Sequence, residues 1–247
     1  MSTLLFLHGV GGGRAAWDQQ LPYFSARGNR VHAWDQPGYG SAPAVEPYDL
    51  EQVSAALRRL IESLGGEPVV LVGHSMGGFI AQEACARFPR QVKALVLGFT
   101  SPSFGGGSQE FVDKFIAARI APLDAGRSMA DIAARLMPAM RGSKSLDEGL
   151  AQAERIMGAI PPATYRKAVH LLTTFDRRAQ LPAIAVPTLL VAGSDDRVAP
   201  ANVMERMAQK IPGAEFVLLE GCGHLGPMDQ PDAFNQALRE FLDRRKL

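Results

Sequence analysis

Cysteine is scarce in this 247-residue sequence: only Cys85 and Cys222 occur, far apart in the chain. Two such residues do not make the disulfide framework of a small secreted domain, so stability has to come from a buried core. Cys222 stands just before His224, yet nothing in the local sequence aims a base at its thiol, and a small apolar packing role is expected. An excess of one charge is also missing. The formal net charge is +1, which gives no basis for binding nucleic acid or an acidic membrane. The main basic cluster, Arg244-Arg245-Lys246, closes a helical pattern, where cations complement the helix dipole. No apolar run approaches the roughly 18 residues that a membrane-spanning helix needs. Met1-Ser2-Thr3 leads straight into Leu4-Leu5-Phe6-Leu7, without the basic stretch and long apolar core of a secretion signal, and a cytoplasmic location is expected. H-E-x-x-H and paired-cysteine spacings are absent, so the expectation is no metal and no cofactor.

Short apolar runs are abundant: Leu4–Leu7, Val31–Trp34, Pro68–Val72, Val92–Leu97, Pro187–Ala192 and Ala214–Leu219. They are nearly continuous rather than alternating, as strands buried on both faces of a parallel sheet are. Helical patterns separate them. Between Asp49 and Leu64, the residues Val53, Leu57, Leu60, Ile61 and Leu64 share one face; Asp49 and Gln52 have capping-box spacing, and Gly65-Gly66 ends the segment. Phe234, Ala237, Leu238, Phe241 and Leu242 repeat the pattern near the C-terminus. Strand–helix alternation predicts an α/β fold with a doubly wound, mostly parallel sheet and right-handed crossovers.

From about Ser103 to Pro182 the rhythm breaks. No strand pattern is visible, and helices are predicted over Gln109–Ala121, Ser128–Met140, Ser145–Ile160 and Pro162–Phe175. Phe104-Gly105-Gly106-Gly107-Ser108 reads as a flexible junction. A long structureless loop is implausible, so a helical cap over residues 103–182 is expected between two parts of a core, 1–102 and 183–247. Met129, Met137, Met140 and Met157 either line a pocket roof or form the core of this cap.

The strongest chemical signal is Gly73-His74-Ser75-Met76-Gly77, a G-x-S-x-G pattern between a strand and a helix. A serine there sits on a sharp turn whose flanking positions approach other backbone too closely for a side chain. The turn also places the Ser75 hydroxyl at the positive end of a helix. A serine becomes a nucleophile only with a base. With the order serine, acid, histidine along the chain, His170 and His224 remain as bases, and His224 is preferred because it follows the last strand, where ligand sites in open α/β sheets lie. His170 falls inside a predicted cap helix. The acid belongs to the turn after the preceding strand, which holds Asp195 and Asp196; Asp195 also suits an Asx turn capping the next helix. Amide hydrogens must meet the charge that builds on the attacked carbonyl oxygen. Met76 supplies one, and Val10, in the glycine-rich loop His8–Gly13, is expected to supply the other. That loop lacks the Lys-Ser/Thr pair of a P-loop and the G-x-G-x-x-G spacing, which argues against a nucleotide.

Leu7-His8-Gly9, Asp35-Gln36-Pro37-Gly38-Tyr39-Gly40-Ser41, Gly73-His74-Ser75-Met76-Gly77-Gly78, Gly193-Ser194-Asp195-Asp196-Arg197-Val198-Ala199-Pro200 and Gly223-His224 together resemble the α/β-hydrolase superfamily, in its order and over nearly the whole chain. The resemblance implies Asp196 as the acid and a structural role for His8. Within the superfamily the chain is similar to 3-oxoadipate enol-lactonases, small carboxylesterases and cofactor-free haloperoxidases, a likeness shared by Phe175-Asp176-Arg177-Arg178. C–C hydrolases of the meta-cleavage group are more distant, because Leu225 stands where they carry an aromatic. The family's short strands ahead of the first-loop strand have no counterpart here. A sheet of about six strands is therefore expected, with an edge that a homodimer could cover.

The function implied is hydrolysis of a small carboxylic ester or lactone by Ser75, Asp196 and His224, with an oxyanion hole at Val10 and Met76 and substrate contacts from Trp17, Phe79 and Leu225. The same triad serves C–C cleavage or perhydrolysis, and a hydrolase fold can also act as a ligand receptor without catalysis.

Overall fold

A computed structural model of the chain describes residues 2–105 and 108–247. Six strands form one sheet: β1 (Thr3–Leu7), β2 (Arg30–Trp34), β3 (Val69–His74), β4 (Val92–Gly98), β5 (Thr188–Gly193) and β6 (Glu215–Leu219). Their order is β2-β1-β3-β4-β5-β6, and every neighbouring pair is parallel, so the sheet is wholly rather than mostly parallel. β1, β3 and β5 are buried throughout, as strands with both faces covered must be. From β1 the chain passes to β2 on one side, then returns to β3 on the other. This reversal opens a crevice at the carboxyl ends of β1 and β3, where the Gly9–Gly13 loop and Ser75 meet.

The helices follow from capping and one-sided burial. Helix α1 (Gln20–Ser25) leads into β2. Helix α2 (Leu50–Ser63) starts where Asp49 accepts a hydrogen bond from the Gln52 amide at 2.8 Å, and it buries Val53, Leu57 and Ile61. Helix α3 (Met76–Arg87) follows Ser75 directly and is buried from Met76 to Cys85, a core helix rather than an amphipathic one.

Between β4 and β5 come α4 (Gln109–Asp124), α5 (Met129–Met140), α6 (Asp147–Gly158) and α7 (Pro162–Thr173). Ser128 and Asp131 form a reciprocal capping box at the start of α5. These helices lie over loops at the carboxyl ends of strands: Thr164 donates to the Gly38 carbonyl at 2.9 Å, and Gly11 faces Met157. The helical segment is entered and left through a neck. Ser103 and Asp176 form an antiparallel bridge, and the Phe104 amide donates to the Phe175 carbonyl at 2.9 Å. The start of the expected flexible junction is thus anchored, and Phe104 packs on Phe115 with ring centroids 4.6 Å apart; Gly106 and Gly107 lie outside the described residues. Buried Glu83 of α3 holds the exit of the neck by ion pairs to Arg87 and Arg177, each 2.5 Å. Met129, Met137 and Met157 are buried within the helical segment.

Helix α8 (Ala201–Lys210) follows β5. The short α9 (Gly226–Asp229) and the long α10 (Pro231–Arg245) complete the chain, and α10 buries Phe234, Ala237, Leu238, Phe241 and Leu242 as expected.

Candidate active site

Ser75 occupies the turn between β3 and α3 with φ 53° and ψ −116°, a conformation that costs an L-residue on the order of 1–3 kcal/mol. Backbone bonds hold it there: its amide donates to the Gly98 carbonyl at 3.0 Å, and the Thr100 hydroxyl donates to its carbonyl at 2.8 Å. A Cβ on Gly73 would strike the backbone of Gly77, and one on Gly77 would strike Leu7 at the end of β1. Glycine at these two positions lets the elbow lie directly on the sheet. Phe99, the residue after β4, also has positive φ, 51°. Its ring lies near both His74 and His224, with centroids 5.7 and 6.4 Å away.

The loop after β6 brings His224 to this elbow. Its Nε2 stands 3.1 Å from Ser75 Oγ, and its Nδ1 lies 2.8 Å from Asp196 Oδ2. With the Nδ1 proton donated to the carboxylate, the Nε2 lone pair faces the serine hydroxyl proton. Asp196 and His224 are buried and Ser75 is half-buried. Burial pushes the Asp196 carboxyl up, but the charge and hydrogen bond of His224 and the amides of Ala199 and Val198 outweigh it and hold the pKa below the ordinary value. Those amides donate to Asp196 Oδ1 at 3.0 and 2.7 Å. Asp196 therefore makes the turn-forming bonds anticipated for Asp195. Asp195 instead accepts the Ser143 amide at 2.7 Å, reaching from the loop after β5 to the helical segment. His170, the other candidate base, lies in α7.

Gly9 places the first loop against the elbow: a Cβ there would lie 3.0 Å from His74 Nδ1 and 3.1 Å from Ser75 Cβ. Among the described residues, neither the Val10 nor the Met76 amide donates to a carbonyl or side chain. The Val10 carbonyl, in contrast, accepts the Tyr39 hydroxyl at 2.9 Å. The Arg14 amide donates to Asp35 Oδ1 at 2.8 Å, so the loop after β2 braces the loop after β1 from two points. His8 is fully buried and hydrogen-bonded to Gln36. Burial lowers its pKa to about 4, so it is a neutral brace.

The three residues expected to touch substrate are all buried. Trp17 packs between Phe6 and Phe234, at 5.0 and 6.1 Å between centroids, a position within the hydrophobic core. Phe79 stacks on Phe175 at 4.1 Å, and Leu225 precedes α9 directly after His224. Cys222 is buried with its sulfur 3.9 Å from Asp229 Oδ1, and burial together with that carboxylate keeps the thiol protonated. A groove of about 420 Å³ lined by Ala117, Ala121, Pro122 and Arg135 lies between α4 and α5 and includes none of these residues. Hydrogen-bonding geometry, not cavity size, marks the candidate site.

Sequence reasoning missed two side chains that brace the candidate site. His74 Nε2 stands 2.7 Å from the His224 carbonyl, and Tyr39 steadies Val10. His74 lies inside the elbow motif, which is read for its glycines and serine, and Tyr39 lies inside a segment read only through the family resemblance.

A wholly parallel sheet with a serine elbow at its switch point, faced by a histidine–carboxylate pair from the last two strands, defines a hydrolase of the α/β type. The chain belongs to the alpha/beta hydrolase fold family, whose sequence model matches residues 2–231. It is 31% identical over 248 residues to the pimeloyl-[acyl-carrier protein] methyl ester esterase of Aromatoleum aromaticum, with 93% of each chain covered. It is 28% identical to a Stutzerimonas stutzeri protein provisionally named carbamate hydrolase RutD, over 97% of this chain and 91% of that one. In structure it is similar to a thermophilic esterase from Thermogutta terrifontis, with a TM-score of 0.88, 27% identity, and 99% and 90% of the two chains covered. Among the described residues no helix is long and apolar enough to cross a membrane, and no group of three or more His, Cys, Asp or Glu side chains is arranged to hold a metal ion.

Proposed function

We propose that this chain is a serine hydrolase that cleaves a small carboxylic ester or lactone through an acyl-enzyme on Ser75. The observation that carries the reading is the alignment of Ser75 Oγ, His224 and Asp196 through contacts of 3.1 and 2.8 Å. Ser75 Oγ attacks the carbonyl carbon while His224 Nε2 takes its proton, and Asp196 stabilises the imidazolium that forms. The amides of Val10 and Met76 receive the oxyanion. Collapse expels the alcohol, which takes the proton back from His224, and leaves the acyl group on Ser75. Water then attacks with His224 again as base, and the acid departs.

Residues 1–102 and 183–247 form the hydrolase core in this reading, and 103–182 act as a cap that roofs the acyl site near Phe79 and Leu225. The methyl ester esterase and the thermophilic esterase among its relatives support ester cleavage, and a carbamate presents the same carbonyl to the same attack. Turnover of p-nitrophenyl butyrate tests the reading. Ser75→Ala is expected to lower kcat by at least about 10³-fold, and an unchanged rate rejects the proposal.

A further inference from the structure

The turn joining α5 to α6 lies against the loop that carries His224, and the two touch backbone to backbone. The His224 amide donates to the Met140 carbonyl at 2.9 Å, the Lys144 amide to the Gly221 carbonyl at 2.9 Å, and the Leu146 amide to the Asp229 carbonyl at 3.0 Å. The Ser143 amide reaches Asp195 at 2.7 Å, beside Asp196, so the same turn also grips the acid loop. A Cβ on Gly142 would collide with Gly221 and Gly223, and one on Gly223 with Met140 and Gly142. No side chain fits between the segments, and the contact is as close as backbone allows.

A buried side-chain pair fastens the turn. The Ser145 hydroxyl accepts the Gly142 amide at 2.8 Å and donates to Asp229 Oδ2. Ser145 is 8% exposed and Asp229 is fully buried. Asp229 ends α9, the helix that begins just after His224. The other end of the helical segment is held differently: α4 has no fully buried residue.

We propose that the α5–α6 turn, residues 140–146, is a positioning element for the His224–Asp196 pair, and that Ser145 and Asp229 are its latch. The inference rests on the reading of His224 as the base. The helical segment would then act on the reaction by fixing the imidazole, beyond roofing the substrate. Ser145 and Asp229 touch neither substrate nor the reacting atoms; they set the height of the loop that bears them. Rates are sensitive to such placement, since a shift of about 1 Å can cost on the order of 10²-fold.

Ser145→Ala in the full-length chain removes the latch hydroxyl. Two quantities are measured: kcat and KM on p-nitrophenyl butyrate, and the low-field proton resonance of His224 Nδ1–H in its bond to Asp196. We expect kcat to fall about tenfold with KM within about twofold of the parent, and the resonance to shift or broaden. A parent-like kcat overturns the proposal. A reduced kcat with an unmoved resonance also overturns it, because the loss would then come from elsewhere. If Ser145→Ala does not fold, Asp229→Asn replaces the carboxylate that accepts the Ser145 hydroxyl at nearly unchanged volume, and it is read by the same two criteria. The resonance requires no substrate. A parent chain that turns over no ester would therefore reject the hydrolase reading, while the spectrum would still decide the latch.

Discussion

The imidazole Nε2 of His74 lies 2.7 Å from the backbone carbonyl oxygen of His224, so the residue before the elbow serine grips the residue that faces it. Burial, followed by the neighbouring His224 charge, lowers the His74 pKa to about 3. The ring is therefore neutral in ordinary buffers, and Nε2–H donates to the carbonyl. The expected outcome is a His74 ring-proton chemical shift that stays flat between pH 5 and 8. His74→Ala should lose on the order of 1 kcal/mol of stability with the bond and should lower kcat more than it raises KM. A His74 resonance titrating near pH 6.5 would show the assignment to be wrong.

Tyr39 offers a similar test of the other side of the site. Its hydroxyl reaches the Val10 carbonyl and nothing else is changed by Tyr39→Phe. If the Val10 amide receives the oxyanion, loosening its loop weakens transition-state contacts more than ground-state binding. A drop in kcat of several-fold to about tenfold, with little change in KM, is expected from steady-state kinetics. Equal kinetics for Tyr39→Phe and the parent would remove Val10 from the oxyanion hole.

Much of this arrangement is legible in the sequence, and the reasons are specific. The strands read as unbroken apolar runs because parallel strands are covered on both faces, and their observed ends differ from the expected ones by at most two residues. The elbow is legible because the glycines at 73 and 77 answer a steric demand. Long-range side-chain bonds are not legible in this way. Nothing in the physics of the local sequence distinguishes Asp195 from Asp196; the family resemblance implies Asp196, and the physical reason appears only where the β5 and β6 loops come together and His224 meets that carboxylate. The neighbours of Trp17 are not legible either: its ring packs on Phe6 and Phe234, which are distant from it in the chain. The contact of Ser145 with Asp229 spans 84 positions and has no sequence pattern at all.

Stability should depend on pH through His8 and His74, two of the buried histidines. Burial holds the folded-state pKa values of His8 and His74 at about 4 and about 3, below the ordinary histidine value of 6.5. Between these limits the unfolded chain binds protons that the folded chain refuses, so stability rises with pH. It is fully present above about pH 6.5 and is lost as pH falls toward 4 and below, on the order of 3 kcal/mol for His8 alone. Tm measured from pH 7.5 to 4 should fall, and His8→Gln should flatten part of the slope. A Tm independent of pH across this range would contradict the burial of both rings.

The neck of the helical segment depends on a buried carboxylate. Glu83 is shared by Arg87 and Arg177. Arg177→Met leaves Glu83 with one partner, and a loss of about 2 kcal/mol is expected, discounted from a fully buried pair because Arg177 is partly exposed. Urea unfolding should show a lower midpoint with the same slope. An unchanged midpoint would mean that the pair contributes nothing to holding the neck.

The most direct test of the account is covalent. A fluorophosphonate requires a serine hydroxyl with a base beside it and amide hydrogens facing the new anionic oxygen. Intact-mass analysis is expected to show one adduct per chain, carried by the peptide that contains Ser75, absent from Ser75→Ala and formed at least about 10²-fold more slowly in His224→Ala. No adduct on the parent chain, or equal labelling of the parent and His224→Ala, would contradict the convergence of Ser75, His224 and Asp196 on one reaction.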